Sequence, residues 1–267
     1  MLDELFGTTK PIIGVIHLLP LPGSSRFDGH LEQVMLRAEQ EAAALTTGGV
    51  NAIIVENFFD APFTKGKVDT ATACAMSLVV KRVMSISDLP VGVNVLRNDG
   101  LTALAVAATT GAKFIRVNVL SGAMVTDQGI IEGDAHALHL YRRQLMANKD
   151  VKILADVLVK HASPLTADAD IKLIAKDTVK RGLADGLIVS GTATGSAPDM
   201  ADFNAVREAL PETPLFCGSG CTNSNVKEIL SVADGVIVGS SLKRQGLVEN
   251  PVDVERVRTL AQAAPKG

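Results

Sequence analysis

The sequence predicts a single (β/α)8 TIM barrel over residues 1–267, with residues 1–10 as an N-terminal extension. Three observations predict it. Eight short apolar runs, at 12–17, 52–56, 91–96, 114–119, 151–159, 186–190, 214–217 and 235–238, suit buried parallel strands. Helical patterns fall between them, and no long linker breaks the alternation. The last two runs stop abruptly in small residues, at Phe216-Cys-Gly-Ser-Gly220 and Gly235-Val-Ile-Val-Gly-Ser-Ser241. That is how the phosphate cradle of such barrels is built.

Composition agrees. Hydrophobic residues make up 47% and aromatic residues 3%, without Trp, so Val, Ile, Leu and Ala must fill a core covered on both faces. Eight strand–helix units in 267 residues favour the closed barrel over an open sheet. The net charge of −3 and pI near 6.0 argue against a general nucleic-acid or anionic-membrane binder. The acidic start Met1-Leu-Asp-Glu-Leu-Phe6 is not a secretory signal. No apolar run approaches the roughly 18 residues that read as a membrane span. A soluble, cytoplasmic protein is expected. Cys74, Cys217 and Cys221 are an odd, small set that suggests a reducing compartment. The spacing of Cys217 and Cys221 is not that of a redox CxxC, and no second pair completes a zinc site, so they read as apolar filler.

The helices follow in order. Leu31, Val34, Met35, Ala38, Ala42 and Leu45 recur at three-to-four spacing, as do Ile171, Ile174, Ala175, Thr178 and Val179, and Val254, Val257, Leu260 and Ala261. The connections after strands one, two, four and six are long. They lie at the strands' carboxyl ends, where barrel sites form. Residues 120–133 read as a loop, either a mobile lid or an apolar plug through Met124, Val125, Ile130 and Ile131.

Polar residues inside strands mark the site. In the fourth strand Ile115, Val117 and Val119 share the helix side, so Arg116 and Asn118 point inward. The same alternation turns Asn94 inward from strand three, and Asp156 and Lys160 from strand five. His17 and Glu56 end strands one and two, and His161 follows Lys160. Burying such groups unpaired is costly, so they must meet each other or a ligand. An ion pair of Arg116 with Glu56 or Asp156 that merely fills the barrel is the non-catalytic reading. Weaker signals are His136 with His139, spaced to chelate but read as exposed helix positions, and Gly191-Thr-Ala-Thr-Gly195. Phe58, Phe59 and Phe63 could stack a planar ligand, but they read first as a cover for the mouth. There is no GxxxxGK[ST] phosphate loop.

Longer motifs carry a family likeness. Pro11-Ile-Ile-Gly-Val-Ile-His-Leu-Leu-Pro-Leu-Pro-Gly23, Val55-Glu-Asn-Phe58, Gly92-Val-Asn-Val-Leu-Arg-Asn-Asp99, Phe114-Ile-Arg-Val-Asn118, Asp127-Gln-Gly-Ile-Ile-Glu-Gly133 and Gly182-Leu-Ala-Asp185 resemble the BtpA/SgcQ family. The family's fifth-strand motif often reads ADVHVKH, and this chain has Leu158 in place of its first histidine. The resemblance implies a barrel of the phosphate-binding type. One member is linked to photosystem I accumulation in cyanobacteria, and others lie with sugar-transport and sugar-phosphate genes.

Together these readings predict an enzyme acting on a small phosphorylated metabolite by acid/base chemistry. Gly218, Ser219, Gly220, Gly239, Ser240 and Ser241 would hold the phosphate. Asp156 or Glu56 would be the base, and Lys160 or His161 the acid, with His17 beside them. Arg116, Asn94, Asn118 and Ser190 would orient the substrate. No cofactor is predicted. A divalent metal stays open, as in a hydrolase using His17, Glu56, Asp156 and His161 as ligands, and so does a homo-oligomer. A non-catalytic assembly factor is the rival of another class.

Overall fold

The computed structural model describes residues 1–165, 169–191 and 199–265. The chain begins with α1 (Leu2–Phe6), β1 (Ile12–His17), α2 (Leu31–Gly48), β2 (Ala52–Glu56), α3 (Thr70–Ile86), β3 (Val91–Asn94), α4 (Gly100–Thr110) and β4 (Phe114–Val117). A hairpin of β5 (Ala123–Thr126) and β6 (Gly129–Glu132) precedes α5 (Ala135–Gln144), β7 (Lys152–Val157) and β8 (Ala162–Pro164). The chain then runs through α6 (Ile171–Lys180), β9 (Gly186–Val189), α7 (Met200–Ala209), β10 (Leu215–Cys217), α8 (Val226–Val232), β11 (Gly235–Val238) and α9 (Val254–Ala263). Eight strands close the expected barrel in the order β1-β2-β3-β4-β7-β9-β10-β11, all parallel.

The alternation of side chains sorts two cores. Outward residues such as Val93, Ile115, Ala155 and Val236 pack beneath the helices with Val34, Ala38 and Leu45 of α2 and Val257 of α9. Inward residues Ile13, Ile54, Phe114, Leu154, Ile188, Phe216 and Ile237 fill the barrel's lower half. The two phenylalanines fit because their neighbours lack a side chain. A Cβ on Gly92 would lie 2.1 Å from the Phe114 ring, and one on Gly235 would lie 2.8 Å from Phe216. The N-terminal extension is more than a tail. Phe6 of α1 stacks edge-on against Phe114 at 5.6 Å and Phe216 at 6.1 Å, so α1 plugs the barrel floor.

Three strands end two residues before the apolar runs do. Residues 95–96, 118–119 and 158–159 leave the ladder. Two asparagine side chains replace strand neighbours there. Asn57 Oδ1 accepts from the Leu96 N–H at 2.7 Å while its Nδ2 donates to Leu96 O at 3.2 Å. Asn98 does the same for Val119, at 2.7 and 3.0 Å. At the end of β7 the chain turns because Leu158 takes a positive φ of 54°.

Residues 120–133 are a hairpin rather than a loop, and β8 pairs antiparallel with β5 to make a small sheet. Its inner face, Met124 and Ile131, packs on Val119 and Val159. Val125 and Ile130 face outward, each 42% exposed. Half of the apolar set thus forms a plug. The connection after the fifth barrel strand is also long, because it supplies β8.

Candidate active site at the barrel mouth

The carboxyl ends of the strands bring the predicted polar residues together. Arg116 is the hub. Its Nε and Nη2 donate to Asp156 Oδ2 and Oδ1 at 2.9 and 2.8 Å, and its Nη1 lies 3.6 Å from Glu56. Asn118 donates to Asp156 Oδ2 at 2.9 Å, and Ser190 Oγ lies 3.5 Å from Oδ1. The Asp156 side chain is sealed from solvent, 0% exposed. Burial works against the Arg116 charge, but Asp156 and then Glu56 outweigh it and raise its pKa above the ordinary arginine value. Glu56 is held more loosely. It accepts from Asn94 Nδ2 at 3.1 Å, and its other oxygen is 3.9 Å from His17 Nε2.

His17 is buried against Phe58, with ring centroids 4.3 Å apart. Burial first, then the charges of Lys243, Lys160 and Arg116, push its pKa well below the ordinary value, so the ring is neutral at pH 7. Lys160 is half-buried. Desolvation lowers its pKa, and the Arg116 charge adds to this. His161 is exposed, and its pKa is lowered by partial burial and by Lys160.

Two cavities share this floor. One, of about 270 Å³, is lined by Gly218–Gly220 and Gly239–Ser241 with His17, Glu56, Arg116 and Lys160. The other, of about 280 Å³, is lined by Phe58, Phe59 and Phe63 with Asn94, Arg97, Asn118 and His161, and again by Glu56, Arg116 and Lys160. A larger cavity of about 460 Å³ opens between the hairpin and α4, lined by Lys65, Asn98 and Leu138. None of the inward polar strand ends reaches it, so volume does not decide the site.

The glycine–serine segments sit where the sequence expects them. Gly239, Ser240 and Ser241 enter a 3-10 turn (Ser240–Leu242) whose first N–H groups have no acceptor within it. The N–H groups of Ser219 and Gly220 have no main-chain acceptor among the described residues. Gly218 differs from the expectation: its N–H donates to Val189 O at 2.8 Å and continues the ladder. Its missing side chain serves instead, since a Cβ there would lie 2.5 Å from Ser190 Oγ and 3.1 Å from Arg116. A Cβ on Gly239 would strike the His17 ring at 2.7 Å.

Two cations at the mouth escape a reading by alternation. Arg256, at the start of α9, borders the glycine–serine cavity, and its Nε donates to Ser241 O at 2.8 Å. Arg97 lines the phenylalanine cavity and is 5% exposed. The proposed metal-ligand set does not assemble. Asp156 is turned to Arg116 and Asn118, and among the described residues no group of three His, Cys, Asp or Glu could hold an ion. His136 is exposed, and His139 instead bonds Gly182 O at 2.8 Å. All three cysteines are free, with Cys217 and Cys221 buried. Burial first raises the Cys217 thiol to about 11, which leaves it protonated at pH 7. Residues 192–195 lie outside the described residues. No described helix is long and apolar enough to cross a membrane.

The model of the BtpA family matches residues 8–266. The chain belongs to the BtpA family. Within that family, the photosystem I biogenesis protein BtpA of Synechocystis sp. is 54% identical, with 100% of this chain and 92% of the relative covered. The putative sgc region protein SgcQ of Escherichia coli (strain K12) is 36% identical, with 96% of this chain and 94% of the relative covered. Among solved structures, Mycobacterium tuberculosis tryptophan synthase aligns at TM-score 0.62 with 16% identity, over 99% of this chain and 96% of that one. That likeness is one of fold, and it agrees with the barrel seen for this BtpA-family chain.

Proposed function

We propose that this BtpA-family barrel is an enzyme acting on a small phosphorylated metabolite by acid/base chemistry. One observation carries the reading: the two cavities meet at Glu56, Arg116 and Lys160. A substrate gripped in the glycine–serine cavity therefore places its next atoms at that seam. The grip would use N–H groups of Ser219, Gly220 and Gly239–Ser241, with Arg256 adding charge from the rim. Arg116 is committed to Asp156, so it orients rather than reacts. Asp156, closed in by three neighbours, holds Arg116. Glu56 is then the base, since one of its oxygens has no close donor. The Lys160 ammonium has no hydrogen bond or ion pair among the described residues, and its lowered pKa suits it to give a proton or polarise a carbonyl. Neutral His17 serves as a hydrogen-bonding partner for Glu56 or substrate. Isomerisation, aldol-type cleavage and glycosidic hydrolysis all fit such a pair.

A thermal-shift screen of phosphorylated metabolites on wild type and Ser240→Asp tests the grip. A ligand at 100 times its Kd stabilises the fold by about 2.7 kcal/mol. The wild type should gain that, and Ser240→Asp should gain nothing, because its carboxylate faces the phosphate. Equal stabilisation of both proteins would defeat the reading. With a substrate found, Lys160→Met should lower kcat about 10²–10⁴-fold. If Lys160 is the acid, the alkaline limb of the rate lies below the ordinary lysine pKa, because the acid form is lost as pH rises through a lowered pKa.

A second reading draws its support from the Synechocystis relative, a photosystem I biogenesis protein. A non-catalytic assembly role predicts that Glu56→Gln with Lys160→Met still restores photosystem I in a Synechocystis strain lacking that relative. Failure of the folded variant, where the wild-type chain succeeds, speaks for chemistry.

A further inference from the structure

The phenylalanine-lined cavity does more than cover the mouth. Phe58, Phe59 and Phe63 are half-buried on one side of it, and Leu96 and Val159 are buried beside them. Such walls accept a flat, weakly hydrated group. Among them sits Arg97. Its Nη2 donates to Lys160 O at 2.7 Å, and its Nε is a buried donor without an acceptor. Among the described residues no carboxylate comes within ion-pairing distance of it, whereas Arg116 has Asp156 and Arg142 has Asp185 at 3.0 Å. A buried guanidinium without a directly paired carboxylate is costly, so the fold must gain from it elsewhere. Asp127 and Asp156 favour its charge from a distance, but neither pairs with it, and Asp156 is taken by Arg116. Glu56 is turned to Asn94 and Arg116, and Glu249 and Arg26 lie at the exposed rim.

We propose that this chamber binds the non-phosphate end of the substrate, a planar group bearing a carboxylate that pairs with Arg97. The proposal rests on the phosphate grip described above and adds the substrate's second anionic end. A carboxylate is favoured over a second phosphate by the donors present. Arg97 offers one planar fork, which matches two coplanar oxygens. The chamber has no counterpart of the paired glycine–serine segments, which offer several N–H groups to a phosphate.

Titration calorimetry with three probes tests this: benzoate, benzyl alcohol and inorganic phosphate. Wild type should bind benzoate at least about tenfold more tightly than benzyl alcohol, the size of one charge-assisted bond. Arg97→Gln should lose that preference and keep its affinity for inorganic phosphate. Ser240→Asp should do the reverse. Benzoate binding undiminished in Arg97→Gln overturns the proposal. So does an absent preference for benzoate in wild type, which decides the matter even if Arg97→Gln does not fold. Competition between benzoate and inorganic phosphate for one site also overturns it. Two equivalents of inorganic phosphate on wild type, one of them lost in Arg97→Gln, would assign a second phosphate instead and overturn the carboxylate. Benzoate binding without phosphate binding supports the chamber and sinks the grip, so the two failures are distinguishable.

Discussion

Arg116 keeps its charge inside the barrel because Asp156 meets it with both oxygens and Glu56 stands behind. Removing one member leaves the other buried and alone. Arg116→Met should therefore cost about 3–5 kcal/mol, and adding Asp156→Leu should recover much of it. Urea midpoints of the single and double variants measure this; a cost below 1 kcal/mol would mean that water already reaches the pair. His17 makes a pH prediction. Its pKa is depressed in the fold, so between the folded value and about 6.5 the unfolded chain binds the extra proton. Stability is then full above about pH 6.5 and falls as pH drops, by up to about 1.4 kcal/mol per unit. His17→Gln should flatten that slope in denaturation at pH 7 and pH 5, and an unchanged slope would locate the titration elsewhere. The inward residues Asn94, Arg116, Asn118 and Asp156 were legible because a strand's two-residue period assigns each side chain a face. Arg97 and Arg256 were not, since one follows a strand end and the other starts a helix, where that period says nothing about the mouth.

The helix α1 shows what an element can do that its sequence hides. Five residues at 2–6 are too short to announce a helix, yet Phe6 finishes the packing of Phe114 and Phe216. Phe6→Ala should cost about 3–5 kcal/mol, as large-to-small changes in cores do. Phosphate affinity should be unchanged, because the glycine–serine cavity lies at the opposite end of the strands. A loss of phosphate binding in the folded variant would show that floor and mouth are coupled. The hairpin β5–β6 was hidden for another reason. Its four-residue strands carry one buried and one exposed apolar face, and flanking glycines made the segment read as a loop. The eight barrel strands were plain because both their faces are buried, which forces continuous apolar runs. Their ends were blurred, since Asn57 and Asn98 imitate strand neighbours just past them.

At the scale of the molecule, the first and last strands meet, β1 against β11, and so bring His17 beside Gly239 across 222 residues of sequence. That closure places the glycine–serine segments from the end of the chain opposite a carboxylate and an amine from its beginning and middle. The plugged floor has a kinetic meaning. With α1 seated below, the barrel is a cul-de-sac, and traffic runs through one doorway. Whatever leaves the seam must depart by the path on which the next molecule arrives. On the function proposed above, a phosphorylated product still seated against the glycine–serine segments would block entry. Initial-rate measurements should show it as a competitive inhibitor of its own substrate, and purely noncompetitive inhibition would mean that product and substrate do not share the glycine–serine cavity.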